Sequence, residues 1–109
     1  MPRLTVRGLT TDQLCLMSEA LIEQLASICE CGVDNFILEC IQHPTIFAGK
    51  IVEAYPFIEV AWFERGPVIR DQVAKAITDH VLALDITEVE VAFTTYEKNA
   101  YYINGISCE

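Results

Sequence analysis

The stretch Pro56-Phe57-Ile58-Glu59-Val60-Ala61-Trp62-Phe63-Glu64-Arg65-Gly66-Pro67 decides how this chain is read. Pro56–Phe63 reads as a strand, and Gly66-Pro67 opens a helix, because the fixed φ of proline suits a first helical turn. The beginning of the chain repeats the plan. Pro2-x-Leu4-x-Val6 matches Pro56-x-Ile58-x-Val60, and Asp12-Gln13-Leu14 matches Asp71-Gln72-Val73. Pro2–Gly8 is therefore a first strand, with Leu4 and Val6 alternating against Arg3, Thr5 and Arg7.

Each strand leads into a helical stripe. Thr10 and Thr11 offer an N-cap, Asp12 suits a first turn, and apolar residues recur at Leu14, Met17, Leu21, Leu25 and Ile28 up to a stop at Gly32. The second stripe is Ile69, Val73, Ile77, Val81 and Leu84. Asn35–Gln42 reads as a strand stopped by His43-Pro44, Thr45–Tyr55 as an irregular connection, and Glu88–Thr95 as a strand with Val89, Val91 and Phe93 on one face. In the tail Tyr101–Ile106, Asn104-Gly105 is a turn dipeptide. The fold expected is α+β: two βαβ repeats, about residues 1–54 and 55–109 of a single domain, forming a four-stranded sheet with both helices on one face. The other face carries Arg3, Arg7, Glu39, Glu59 and Glu90, charges that are either solvated or, the reading favoured here, paired inside an oligomer.

Composition narrows the function. Seven Lys+Arg stand against 16 Asp+Glu, a net charge of −9, and such a chain repels a phosphate backbone, so nucleic acid is excluded as a partner. The hydrophobic share is 52%, yet the longest uncharged runs, Cys40–Gly49 and Asn99–Cys108, are ten residues each, too short to span a membrane. A subunit interface is the natural sink for that apolar surface. The five cysteines lack metal-ligand spacing, so no metal or other cofactor is expected. The start has no apolar signal core, which places the protein in the cytoplasm.

Pro2 carries the most chemistry. A small second residue favours removal of the initiator methionine, which leaves Pro2 as a free secondary amine. Such an amine has a reference pKa of about 7.7–8.0, and burial or a nearby arginine lowers it toward a working base at neutral pH. The plain alternative is a proline that merely opens a strand.

The two-fold βαβ plan, Pro2 at the head of the first strand, and a length near 110 resemble the tautomerase superfamily. More narrowly, Tyr55–Gly66 and Tyr101-Tyr102-Ile103-Asn104-Gly105 resemble a branch of it filed as a domain of unknown function. The resemblance covers the whole chain. It implies a homotrimer with sites at subunit boundaries, a catalytic Pro2, and a small 2-keto or enol carboxylic acid as substrate. It also implies Arg65 as a substrate-carboxylate arginine or a backbone donor, Arg70 as a second candidate, and Asp34 as the counterpart of an acidic residue in the decarboxylase branch. Phe36 and Trp62 are candidate walls of an apolar pocket, or core residues. Arg65 is equally read as pairing with Glu64 at the strand end, Arg70 as pairing beside Asp71, and Asp34 as a turn residue. Tyr101 and Tyr102 are read as interface or pocket rim.

The chain also departs from the family. Gly32 stands where the migration inhibitory factor has a lysine, and Glu90 and Ala92 stand where it has an aromatic residue and an asparagine. Two further readings therefore stand beside a tautomerase: a decarboxylase or hydratase with protonated Pro2, and a non-catalytic oligomeric binding or structural protein of this fold. A ferredoxin-like module has the same element order.

Overall fold

A computed structural model describes every residue, Met1–Glu109. Strand β1 is Arg3–Arg7, and its period of two buries Leu4 and Val6 while Arg3, Thr5 and Arg7 take the opposite face. Helix α1, Thr11–Cys29, begins in a reciprocal capping box. The Gln13 N–H donates to Thr10 Oγ1 at 3.1 Å, and the Thr10 N–H donates to Gln13 Oε1 at 2.8 Å. Leu14, Met17, Leu21 and Leu25 form its buried stripe.

The expected stop at Gly32 comes two residues earlier. Glu30 adopts the left-handed conformation (φ 54°), and the Glu30 and Cys31 N–H groups donate to Ser27 O at 3.3 Å and Ala26 O at 3.0 Å. These bonds satisfy the last carbonyls and hold a non-glycine in a position that costs about 1–2 kcal/mol. Gly32 has an ordinary extended conformation and precedes a short 3-10 turn, Val33–Asn35.

Strand β2 is Ile37–Ile41. The connection expected to be irregular holds a hairpin, β3 (Thr45–Phe47) and β4 (Lys50–Val52), turning through Ala48 (φ 51°) and Gly49 (φ 76°). Two positive φ angles in a row give the turn whose twist matches antiparallel strands. The pattern hid it because the strands are three residues long, and Ile46, Phe47 and Ile51 are all exposed rather than alternating in and out.

The second unit follows as expected: β5 (Phe57–Phe63), α2 (Pro67–Leu82) and β6 (Glu90–Tyr96). A last hairpin, β7 (Tyr102–Ile103) and β8 (Ile106–Ser107), turns on Asn104-Gly105. The sheet order is β2-β1-β5-β6, with β1 parallel to β2, β5 parallel to β6, and the two units joined antiparallel through β1 and β5. Leu4, Val6, Ile58, Val60 and Trp62 all face the helices and pack with the stripes Leu14–Leu25 and Val73–Val81. Truncating Leu21 or Ile77 to alanine in this core costs about 2–5 kcal/mol.

On the opposite face Arg3 pairs with Glu39 at 3.0 Å and Arg7 with Glu59 at 2.7 Å, along diagonals of one chain's own strands, while Glu90 has no ion-pair partner. All four side chains are 40–47% exposed, where such pairs contribute about 0.2–1 kcal/mol each. The hairpins lengthen the molecule to 45 × 29 × 24 Å, with a radius of gyration of 15.1 Å. A globule of this length has about 13 Å. No helix is long and apolar enough to cross a membrane.

Candidate active site at the Pro2 end of the sheet

The internal repeat places two prolines in equivalent settings. Pro2 and Pro56 are both buried, each one residue ahead of its strand. The Pro2 carbonyl accepts the Ile37 N–H at 3.0 Å, and the Pro56 carbonyl accepts the Glu90 N–H at 3.1 Å. Proline suits both places because it has no N–H for a ladder to satisfy.

The antiparallel register pairs Arg3 with Ala61, so Pro2 stands level with Trp62. Trp62 is 1% exposed, is tilted against Phe93 at a ring separation of 5.1 Å, and has a buried Nε1 with no hydrogen-bond partner. It is a core residue here, and Arg65 covers it: the guanidinium carbon lies 5.1 Å from the ring centroid. Arg65 Nη1 also donates to the Phe63 carbonyl at 3.1 Å. Phe36 is partly buried against the core, immediately before the residue that bonds Pro2. Pro2, Phe36, Trp62 and Arg65 thus share one end of the sheet.

Arg65 does not pair with Glu64 through its side chain. Instead Glu64 Oε1 accepts the backbone N–H of Arg65 at 3.1 Å and of Gly66 at 3.0 Å, just ahead of α2. Glu64 Oε2 takes Arg70 Nη1 at 3.0 Å and the Thr95 hydroxyl at 3.5 Å. Arg70 therefore pairs with Glu64 rather than beside Asp71. Of the four arginines, Arg3, Arg7 and Arg70 each have an acidic partner, and Arg65 has none. Asp34 sits in the 3-10 turn with its carboxylate folded back over Gly32.

Sequence reasoning missed the neighbourhood of Cys29 at the end of α1. Burial raises the pKa of its thiol, while the charge of Arg65 pulls it down. Cys29 and Arg65 are 36 positions apart, so no local pattern joins them. The role of Glu64 had a legible signal: an acid two residues before a helix-opening Gly-Pro.

The far end of the sheet holds a cavity of about 420 Å³ lined by Arg7, His43, Thr45, Tyr55, Phe57 and Glu59, among others. The neighbouring Glu90 carboxylate pushes the pKa of the Tyr55 hydroxyl above its usual range. No group of three or more His, Cys, Asp or Glu side chains gathers to hold a metal.

Residues 1–107 match the family described as Domain of unknown function (DUF1904). The chain belongs to that family. A DUF1904 structure from Sebaldella termitidis ATCC 33386 is 31% identical, covers 98% of this DUF1904 chain and 99% of its own, and superposes with a TM-score of 0.89. A fused 4-OT solved as an asymmetric trimer is 14% identical, with a TM-score of 0.81 over 97% of this chain and 95% of its own. Pt0534, solved after inactivation by 2-oxo-3-pentynoate, is 15% identical, with a TM-score of 0.71 over 98% of this chain and 94% of its own. No curated protein matches the chain. The DUF1904 chain thus shares the fold of the fused 4-OT and macrophage migration inhibitory factor-like structures.

Proposed function

We propose that this DUF1904 chain is a tautomerase-type enzyme acting on a small 2-keto or enol carboxylic acid. Residues 1–109 act as one domain of a cytoplasmic homotrimer. Removal of Met1 frees the Pro2 amine, which takes a proton from one position of the substrate and returns it at another. Arg65 holds the carboxylate through parallel N–H···O bonds from its planar fork. Trp62 supports Arg65 from below, and Phe36 flanks the reacting end. The single observation that carries this reading is that Pro2 is buried at the end of the sheet where the one arginine without an acidic partner lies.

The chemistry follows from that pairing. An amine desolvated by its surroundings and set near a guanidinium loses its proton more readily, so at neutral pH it acts as a base. The net charge of −9 gives no long-range attraction for an anion, so local capture by Arg65 has to supply the affinity. Neighbouring copies complete the pocket. The exposed apolar residues of the two hairpins, Phe47, Ile51, Tyr102 and Ile106, are the surface they cover.

The test is labelling with 2-oxo-3-pentynoate, the compound that inactivated Pt0534. An adduct on the Pro2 nitrogen, located by mass spectrometry and absent from Pro2→Ala, supports the reading; labelling confined to cysteines overturns it. An ¹⁵N titration of Pro2 then separates the chemistries. A pKa below that of a free amino terminus marks a tautomerase base. One at or above it keeps the proline protonated and assigns the decarboxylase or hydratase reaction. Retention of Met1 leaves the non-catalytic binding protein.

A further inference from the structure

We propose that Arg70 is a positioning residue that holds the Glu64 carboxylate away from Arg65 and so keeps the Arg65 guanidinium open to a small carboxylate. The inference rests on the reading of Arg65 as the carboxylate holder. It starts from an imbalance: 16 acidic residues face seven Lys and Arg, and Glu64 is the residue next to Arg65. Left alone, an arginine beside a glutamate is neutralised by it. In this chain it is not, because both oxygens of Glu64 are committed elsewhere.

Oε1 is held by the Arg65 and Gly66 N–H groups at 3.1 and 3.0 Å. Those bonds fix the turn but involve only the Arg65 backbone. Oε2 is held by Arg70 at 3.0 Å, and its other contact, the Thr95 hydroxyl at 3.5 Å, is at the limit of a hydrogen bond. Arg70 is therefore the one strong restraint on that oxygen. It reaches Glu64 from the first turn of α2, where its own N–H donates to the Gly66 carbonyl at 3.0 Å. The consequence appears at Arg65, which uses a single donor on the Phe63 carbonyl and stacks on Trp62. A guanidinium has five N–H donors, so most of the fork stays free for a ligand. Remove the Arg70 side chain and the cation nearest in sequence to the released oxygen is Arg65.

The test is a double-mutant cycle read by pyruvate titration of ¹⁵N-labelled protein, following the Arg65 Nε–H signal, with Arg65→Ala assigning it. Arg70→Ala is expected to bind pyruvate about two- to fivefold more weakly, the range of an exposed ion pair. Arg70→Ala with Glu64→Gln is expected to return to wild-type affinity, since glutamine keeps the Oε1 acceptor but has no charge to neutralise Arg65. A loss confined to the start of α2 gives no such rescue. Equal affinity of Arg70→Ala and wild type overturns the inference, as does a double variant as weak as Arg70→Ala. A wild type whose Arg65 signal ignores pyruvate overturns the carboxylate reading together with this inference; the other two outcomes leave that reading standing.

Discussion

The Arg65 guanidinium carbon lies 5.1 Å from the centroid of Trp62, and Trp62 is the only tryptophan in the chain. Anything that changes the charge over that ring is reported by a single fluorophore. A small 2-oxo acid bound at Arg65 is expected to change Trp62 emission in the wild type and to leave it unchanged in Arg65→Ala. Equal changes in both proteins would place the acid elsewhere.

Gly8 is a backbone contact point. It has φ +84°, and a β-carbon built on it stands 2.3 Å from the Tyr55 carbonyl oxygen. Gly8→Ala therefore combines left-handed strain with a clash against main chain and should cost at least about 2 kcal/mol. Gly105 has φ +80° with nothing within 4 Å, so Gly105→Ala pays only the conformational term, about 1–2 kcal/mol. Urea unfolding of the two variants measures the difference. Equal midpoints would mean that the loop at Tyr55 yields.

The charged face tests the trimer. The native protein is expected to sediment as three chains of 12.2 kDa each. Arg7→Glu sets a like charge against Glu59, which Arg7 meets at 2.7 Å on the face the sequence reading places inside the oligomer, and is expected to weaken the assembly. Combining it with Glu59→Arg restores the pair and should restore the trimer. A wild-type monomer or dimer would remove the homotrimer from the proposal.

Cys29 gives a pH dependence whose sign is set by its environment. Burial raises its pKa in the folded state, against which Arg65 acts. A thiol whose folded pKa exceeds its unfolded value of about 8.5 favours folding below that pH, and the contribution is lost as pH rises through the folded value. Iodoacetamide at pH 8 should alkylate exposed Cys15 before Cys29. Arg65→Ala removes the lowering charge and should slow Cys29 further. Faster alkylation of Cys29 in that variant would show that Arg65 shields the thiol sterically instead.

Much of the fold was legible because its signals are short-ranged and periodic. Leu14–Met17–Leu21–Leu25 and Val73–Ile77–Val81 fall on one side of their helices whatever surrounds them, and the alternation in β1 and β5 assigns Leu4, Val6, Ile58 and Val60 to the core. The hairpin at Thr45–Val52 escaped because its three-residue strands, exposed but for half-buried Thr45, have no buried side to create a pattern. Glu30 escaped because its left-handed conformation is held by two backbone bonds rather than by a glycine.

By itself, the sequence determined the doubled βαβ plan, the buried faces, and the pair of prolines at equivalent places in the two units. Each depends on the identity of residues within a turn or a strand of one another, or on the order of the covalent chain. The tertiary structure alone decided which charges are spent. Arg3 finds Glu39 across β2, Arg7 finds Glu59 across β5, and Glu64 turns to Arg70, leaving Arg65 open above Trp62. The physical reason is that an ion pair forms with whichever partner the folded chain brings within about 4 Å. That distance is a property of register and helix placement, which no local pattern of residues encodes.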